Sequence, residues 1–585
     1  MRDVRRTVKR LLWMSGSLSV LLSSPVWAAQ WDIVPSPSVE ETSTDNLLLT
    51  PDAVKQDAGI EQLTPAISVD NVPLTPDGVR PDAGIAQVTP AITVAATTDR
   101  VRKWVIVPTL SVEETYTDNV SLAPDAFKQD AWITQVTPAI SVAATGDRLR
   151  FNANYAPQVI YYAQAQNSSR VFQKGNAFGN AELAKKLLFV DFGASINQYN
   201  ASLLGPLSTS NANTTGNRTT VGTLFASPYL KRDFGSQVQG EARFTDSVVK
   251  SDDQGIFPAS VADRINLGLN SGPAYKKLTW NLAYVRETTR YDGGQDNFTE
   301  VITAGARQLI TPTVGLLAKA GYDYYRTGGS DAPASEGPSW SAGLEWKPTP
   351  RTRFTATAGQ QFYGDAYTLD VTHRTRLTTW SAEYSQYVTN ARSEFFLPAT
   401  SSTAGSLDTM FLSQFPDPVA RQKAVEEFIA RTGLPPSLNS PINFFSTQLL
   451  LSKSWKASVG ILGVRNVLML NAFRRTTQGL VGSLVLPSAS IFATSNSVIQ
   501  SGASLQWNLR VTPLCAWNMG GTYTRNEIPG VARIDNITYV GMGLTQKFLP
   551  RVSGSLNYRR QHNDSNQSLA SYTENAVFAT LKLRF

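Results

Sequence analysis

The chain of 585 residues is 17% charged and holds 40 Gly, 32 Pro, 12 Trp, 20 Tyr and 25 Phe, but one Cys and two His. The single thiol, Cys515, excludes an internal disulfide, a thiolate zinc cluster and a paired-cysteine haem attachment, and His373 with His562 is too few for an all-histidine metal centre, so no cofactor or metal is expected. The formal charge of +7 includes +4 from Arg2, Arg5, Arg6, Lys9 and Arg10 against Asp3, and the remaining +3 leaves no basic footprint for nucleic acid.

Residues 1–28 have the three parts of a secretory signal: the basic cluster, the apolar stretch Leu11 to Leu22, and small residues at Ala28-Ala29 with cleavage expected after Ala28. Ser15, Gly16, Ser17 and Ser19 interrupt the apolar stretch, which argues against a transmembrane helix of about 20 apolar residues. No later segment has about 18 consecutive apolar residues, so the exported chain is expected to lack a helical anchor.

Residues 29–103 carry two copies of the segment that opens at Trp104. Trp31-Asp32-Ile33-Val34-Pro35 and Ser38-Val39-Glu40-Glu41-Thr42 return at Trp104 to Pro108 and Ser111 to Thr115 with an offset of 73, as do Lys55 to Ala58 at Lys128 to Ala131. A shorter copy lies between, ending Thr89-Pro90-Ala91-Ile92-Thr93-Val94. Only the last copy runs straight into alternating strands, so it is read as the first hairpin of the sheet and the earlier two as its duplicates. Those are extra strands, a periplasmic arm or poorly ordered chain; their Pro content favours the last two.

From residue 104 to 585 the chain alternates apolar and polar residues in runs of strand length, as in Ile265-Asn266-Leu267-Gly268-Leu269-Asn270 and Trp340-Ser341-Ala342-Gly343-Leu344-Glu345-Trp346. Short turns at 145–148, 185–186, 276–277, 311–313 and 347–350 interleave with longer Asn-, Ser-, Asp- and Gly-rich loops near 166–175, 204–218, 251–263, 292–297, 327–338, 525–533 and 561–569. Tyr and Trp gather towards strand ends (Tyr161, Trp280, Tyr322, Trp346, Trp380, Trp507, Trp517), as an interfacial girdle requires. The pattern predicts an all-β fold, a single large antiparallel transmembrane β-barrel of about 22 strands (about 18 to 26), with both termini on the short-turn side. A barrel this wide exceeds what its own side chains fill, so it should hold a channel, a plug or a captured partner. Glu241, Arg243, Lys319, Asp323, Glu345, Arg353 and Arg559 alternate with the apolar positions and are expected to face the lumen, as charges that tune passage or as structural ion pairs.

Residues 391–444 break the strand rhythm. Asp417 can cap a helix with Pro418 at its first position, running to Thr432 before Gly433 and Pro435-Pro436, with Val425, Phe428 and Ile429 on one face. Such a helix in a long extracellular loop either folds into the mouth as a constriction or packs on the barrel rim.

No Gly-rich phosphate loop, nucleophile elbow or zinc-protease helix is present, and neither histidine lies beside a catalytic constellation: His373 is placed at a periplasmic turn and His562 in an outer loop. No catalytic residue is nominated and the chain is not expected to be an enzyme.

The opening Trp104-x-x-x-Pro108-x-x-Ser111-Val112-Glu113-Glu114-Thr115-Tyr116-Thr117-Asp118-Asn119, with Thr137-Pro138-Ala139-Ile140-Ser141 and Asn154-Tyr155-Ala156-Pro157, resembles an uncharacterised family of outer-membrane barrels associated with exosortase/PEP-CTERM exopolysaccharide systems. The closing strand Val577 to Phe585, with Leu581, Leu583 and the terminal Phe585 on one face, resembles the signal read by the barrel assembly machinery. The resemblance implies an outer-membrane location, contact with outer-membrane lipid, and polysaccharide or secretion-system components as partners; the extra copies at 31–103 depart from the family's single opening. A docking barrel whose lumen holds a partner protein is the competing expectation.

Overall fold

The computed structural model describes residues 103–585 except 164–168, 254–256, 294–295, 329–331, 333, 397–445, 464 and 481–494. The signal sequence expected at 1–28, the duplicated segment apart from Lys103, and the helix with Val425, Phe428 and Ile429 lie outside the described residues.

The strands are β1 (Lys103–Thr117), β2 (Ala131–Thr145), β3 (Leu149–Tyr155), β4 (Gln158–Tyr162), β5 (Arg170–Phe172), β6 (Gly175–Ala184), β7 (Leu188–Asn200), β8 (Arg218–Phe234), β9 (Val238–Ser251), β10 (Ser260–Ser271), β11 (Leu278–Tyr291) and β12 (Asn297–Leu309). They continue as β13 (Val314–Thr327), β14 (Ala334–Thr349), β15 (Thr352–Gln361), β16 (Gly364–Arg374), β17 (Thr378–Thr389), β18 (Leu450–Leu462), β19 (Asn466–Gly479), β20 (Ser497–Thr512), β21 (Cys515–Ile528), β22 (Arg533–Leu549), β23 (Val552–Ser565) and β24 (Tyr572–Arg584). β3 and β4 both pair with β2, and β6 and β5 pair with them in turn, so each couple forms one interrupted stave and the barrel has 22 strands. Every pairing is antiparallel, and β1 closes on β24 from Thr109↔Arg584 to Thr117↔Ala576. Closure leaves no edge, so each strand's backbone finds its partners within the sheet, the condition for crossing a bilayer with strands.

Period-2 alternation decides which face each side chain takes. Leu224, Phe244, Leu267, Leu282, Ile302, Leu316, Leu344 and Leu556 stand exposed on one face, while Gln500, Gln561 and Glu574 on the other are 0% exposed. That is the reverse of a water-soluble sandwich and defines an apolar exterior around a polar interior. Aromatic residues mark both ends of the apolar zone. Trp507 and Trp517 meet at 5.6 Å towards the short turns, and Tyr384 and Trp455 at 4.4 Å towards the long loops. Leu344 stands on the exterior between Leu316 and Ala356. Leu344→Arg is therefore expected to destabilise the membrane-inserted barrel by about 2–4 kcal/mol, read as a lower urea midpoint in vesicles.

The strands reach further towards the long loops than their residue pattern suggests. Residues 260–263, 334–338, 525–528 and 561–565 read as loop but belong to β10, β14, β21 and β23. Their backbone groups are paired by neighbouring strands whatever the side chains, so polar sequence extends the sheet beyond the apolar zone. His562 accordingly lies in β23 rather than in a loop, its Nδ1 2.9 Å from the Thr573 hydroxyl. His373, next to last in β16, contacts the Thr352 hydroxyl at 2.9 Å.

Candidate permeation pathway

The register places the seven charged residues on the interior face and gathers them into separate clusters. Arg243 reaches Asp191 at 2.6 Å and Glu241 at 3.0 Å, with its guanidinium 3.8 Å over the Tyr229 ring. Glu345 meets Arg307 at 2.5 Å, Lys347 at 2.8 Å and Arg353 at 3.7 Å, and Arg353 also lies 4.0 Å from Asp370. Arg559 pairs with the buried Glu574 at 2.8 Å. Lys319 and Asp323 are not brought together in an ion pair within the described residues; the Asp323 Oδ2 is buried without a hydrogen-bond partner. On the closing strand Leu581 is exposed on the exterior, and the Phe585 N–H donates to the Pro108 carbonyl at 3.0 Å.

The loop joining β7 to β8, residues 201–217, turns into the barrel. Leu203 and Leu207 are buried in one cluster with Leu450 of β18, Val498 of β20 and Ile528 of β21. Seven barrel strands separate β7 from β21 around the seam, so the loop crosses the lumen. Its path is pinned by wall side chains. Arg533 donates to the Leu204 carbonyl (2.8 Å), Gln561 and Tyr572 donate to the Leu207 carbonyl (2.5 and 3.1 Å), and Tyr162 donates to the Ala212 carbonyl (3.1 Å). The Asn213 amide donates to Glu574 Oε1 at 2.7 Å, joining the loop to the Arg559 pair. Within the loop, Asn217 bridges the Ser202 N–H (2.8 Å) to the Ser202 and Pro206 carbonyls (2.7 and 3.1 Å).

A second segment comes from the other side. After β17, Asn390 caps the short helix α1 (Ala391–Glu394), its side chain accepting from the Ser393 N–H at 2.7 Å. Arg392, buried, donates to the Ser247 carbonyl (2.6 Å) and hydroxyl (2.9 Å) and to the Ser260 hydroxyl (3.1 Å), on β9 and β10, which the six strands β11 to β16 separate from β17. Burial holds its guanidinium below the ordinary arginine value. Phe395 enters a cluster with Val221, Val249, Phe257 and Tyr291. Among the described residues the inward fold falls on residues 201–217 and 391–396; Val425, Phe428 and Ile429 lie outside them. A signal was present: Leu203-Leu204-Gly205-Pro206-Leu207 is an apolar run inside a loop otherwise rich in Ser, Thr and Asn, as a self-burying loop requires.

The next loop is locked by Asp252, whose carboxylate accepts from the Thr219 and Thr220 hydroxyls (2.5 Å each) and the Thr220 N–H (2.7 Å). Burial would raise this carboxyl, but the hydrogen bonds outweigh it and hold it below the usual carboxylate range. A depressed folded value stabilises above the unfolded value of about 3.9 and is lost as pH falls through the folded one. The hydrogen-exchange protection factor of the Thr220 amide is thus expected to hold above about pH 4 and to drop in more acid solution.

A closed antiparallel barrel, apolar outside and polar inside, with segments folded across its lumen, defines the class of transmembrane β-barrels. Residues 485–585 match the family described as "Putative beta-barrel porin 2". No curated protein sequence matches the chain. Among solved structures it is similar to the FrpB iron transporter from Neisseria meningitidis (F3-3 variant), with 9% identity over 82% of each chain and a TM-score of 0.46. It is also similar to BauA, the ferric preacinetobactin receptor from Acinetobacter baumannii, with 10% identity over 83% of this chain and 81% of that one and a TM-score of 0.45. A third is OccAB2 of Acinetobacter baumannii, with 10% identity over 82% and 98% of the two chains and a TM-score of 0.31.

Proposed function

We propose that the protein is a porin-like channel of the bacterial outer membrane whose mouth is narrowed by the inward-folded 201–217 loop, and that its solute is an envelope polysaccharide on its way out of the cell. The loop carries the channel reading: at about 4.8 Å between strands and ~40° tilt, 22 strands enclose a cylinder roughly 40 Å across, and a short loop pinned to its polar wall narrows such an opening without filling it. The polysaccharide half follows from the likeness of the Trp104 to Asn119 opening to barrels of exopolysaccharide systems.

Single-channel recording of the purified, refolded protein in planar bilayers tests the first half, with large steady openings expected. Silence from a barrel that is folded by heat-modifiability on a gel would overturn it in favour of a docking barrel with an occupied lumen. For the second half, a strain lacking the protein should retain polymer in the periplasm; unchanged surface polysaccharide would sink it.

A further inference from the structure

The interior wall made by β6, β7, β8 and β9 carries aromatic rings that a purely polar pore lining does not explain. Phe178 is 57% exposed on this inner face, with its ring centroid 5.6 Å from that of Phe225. Phe178 pairs with Gly193, where a Cβ would lie 2.5 Å from the Phe225 ring; the glycine lets that ring lie across the strand. Phe396, brought over by α1, adds a third ring 6.1 Å from Phe225. Nearer the short turns, Phe189 stacks on Tyr229 at 5.2 Å and 16°, with Arg243 on the Tyr229 face. Phe225 and Tyr229 are four residues apart on β8, ~13 Å at about 3.3 Å per residue.

A hydrogen-bonding band begins between the two aromatic tiers, where Asn180, Asp191 and Ser227 share one row of the register, and continues past the lower tier to Glu241 and Lys231. Arg243 joins Asp191, Glu241 and the Ser227 hydroxyl (3.1 Å), and the Asn180 amide donates to Asp191 at 2.5 Å and to the Tyr229 hydroxyl at 3.2 Å. Lys231 faces Glu241 in the β8–β9 register, and Arg150 and Glu182 share the face of Asn180, so three carboxylates are matched by three cations. A charged solute meets no surplus of opposite charge here, and a wholly apolar one would cover this network without replacing its bonds to water. A chain of neutral sugars answers both parts: its C–H faces lie flat on exposed rings, and its hydroxyl edges exchange hydrogen bonds with carboxylate, amide and guanidinium groups. We infer that this wall is a saccharide track, with Phe178 and Phe225 as the upper stacking platform, Tyr229 and Phe189 as the lower, and Asp191, Asn180 and Arg243 between them.

The inference rests on the channel reading, and its test keeps the two apart. Neutral α- and β-linked glucan hexamers are added to single channels of the full-length protein in planar bilayers, and interruptions of the ion current are counted. A concentration-dependent block is expected, weakened about tenfold by Phe178→Ala with Phe225→Ala, with open-channel conductance unchanged. Phe178→Tyr should restore it, and Leu224→Ala on the outer face should leave it unaltered. A conducting channel that no hexamer interrupts, or a block that survives the double substitution, overturns the track and leaves the channel standing. If no conductance is seen the channel reading fails, and calorimetry of the hexamers with the detergent-solubilised protein then decides the track: binding lost in the double variant supports it, and absent binding overturns it.

Discussion

Replacing residues 202–216 with Asn-Gly is expected to raise single-channel conductance several-fold. The Ala201 N–H already donates to the Asn217 carbonyl at 3.0 Å, so the two ends of the loop stand as a hairpin pair that a two-residue turn can close. The replacement removes the segment pinned by Arg533, Gln561, Tyr572 and Tyr162 across the lumen. It also ends the burial of Leu203 and Leu207, at about 1.5–3 kcal/mol each, so the urea midpoint should fall while conductance rises. Opposite signs on the two readouts separate an opened pore from a damaged barrel. Unchanged conductance in a barrel that remains heat-modifiable would show that residues 201–217 do not limit the pathway.

The second large effect is expected at Glu574, which is 0% exposed. Its Oε1 accepts from Arg559 at 2.8 Å, from the Thr117 hydroxyl at 3.0 Å and from Asn213 at 2.7 Å. One carboxylate thus ties β24 to β23, to β1 across the seam and to the inward loop. Glu574→Ala leaves the Arg559 guanidinium buried without its counter-charge and should destabilise the barrel by about 3–5 kcal/mol. Glu574→Leu combined with Arg559→Met removes both charges and should cost far less, since apolar pairs often replace buried ion pairs at little loss. A double variant as unstable as Glu574→Ala would mean that the loop and seam hydrogen bonds, rather than the ion pair, carry the stability.

The inside and outside of each stave were legible in single residues. Phe244 between Arg243 and Thr245, or Leu344 beside Glu345, announces which side meets lipid and which meets water, because the side-chain period of a strand is two and a membrane tolerates few exceptions. The turns were legible for a similar local reason, in Lys-, Thr- and Pro-containing segments such as Lys276-Lys277 and Thr311-Pro312-Thr313, although Lys347 to Thr349, read as turn, belong to β14. Loop edges were less so. Residues 561–565 and 525–528 are polar by composition yet paired in the sheet, since a neighbouring strand satisfies the backbone regardless of side chain.

The partners of the charged residues could not be read. Arg243 meets Asp191, 52 positions earlier, and Arg559 meets Glu574 together with Asn213, 361 positions from that carboxylate. The same holds for Phe396, which reaches Phe225 only because α1 carries it to the opposite wall. By itself the sequence determined the all-β class, the two faces, the side of the short turns and a strand number near that observed, because these come from a period that repeats every two residues. The inward course of residues 201–217, the division of the lumen charges into clusters and the aromatic wall were decided by tertiary structure alone. Barrel closure brings together residues hundreds of positions apart, and no local pattern encodes which strands will face each other across a lumen.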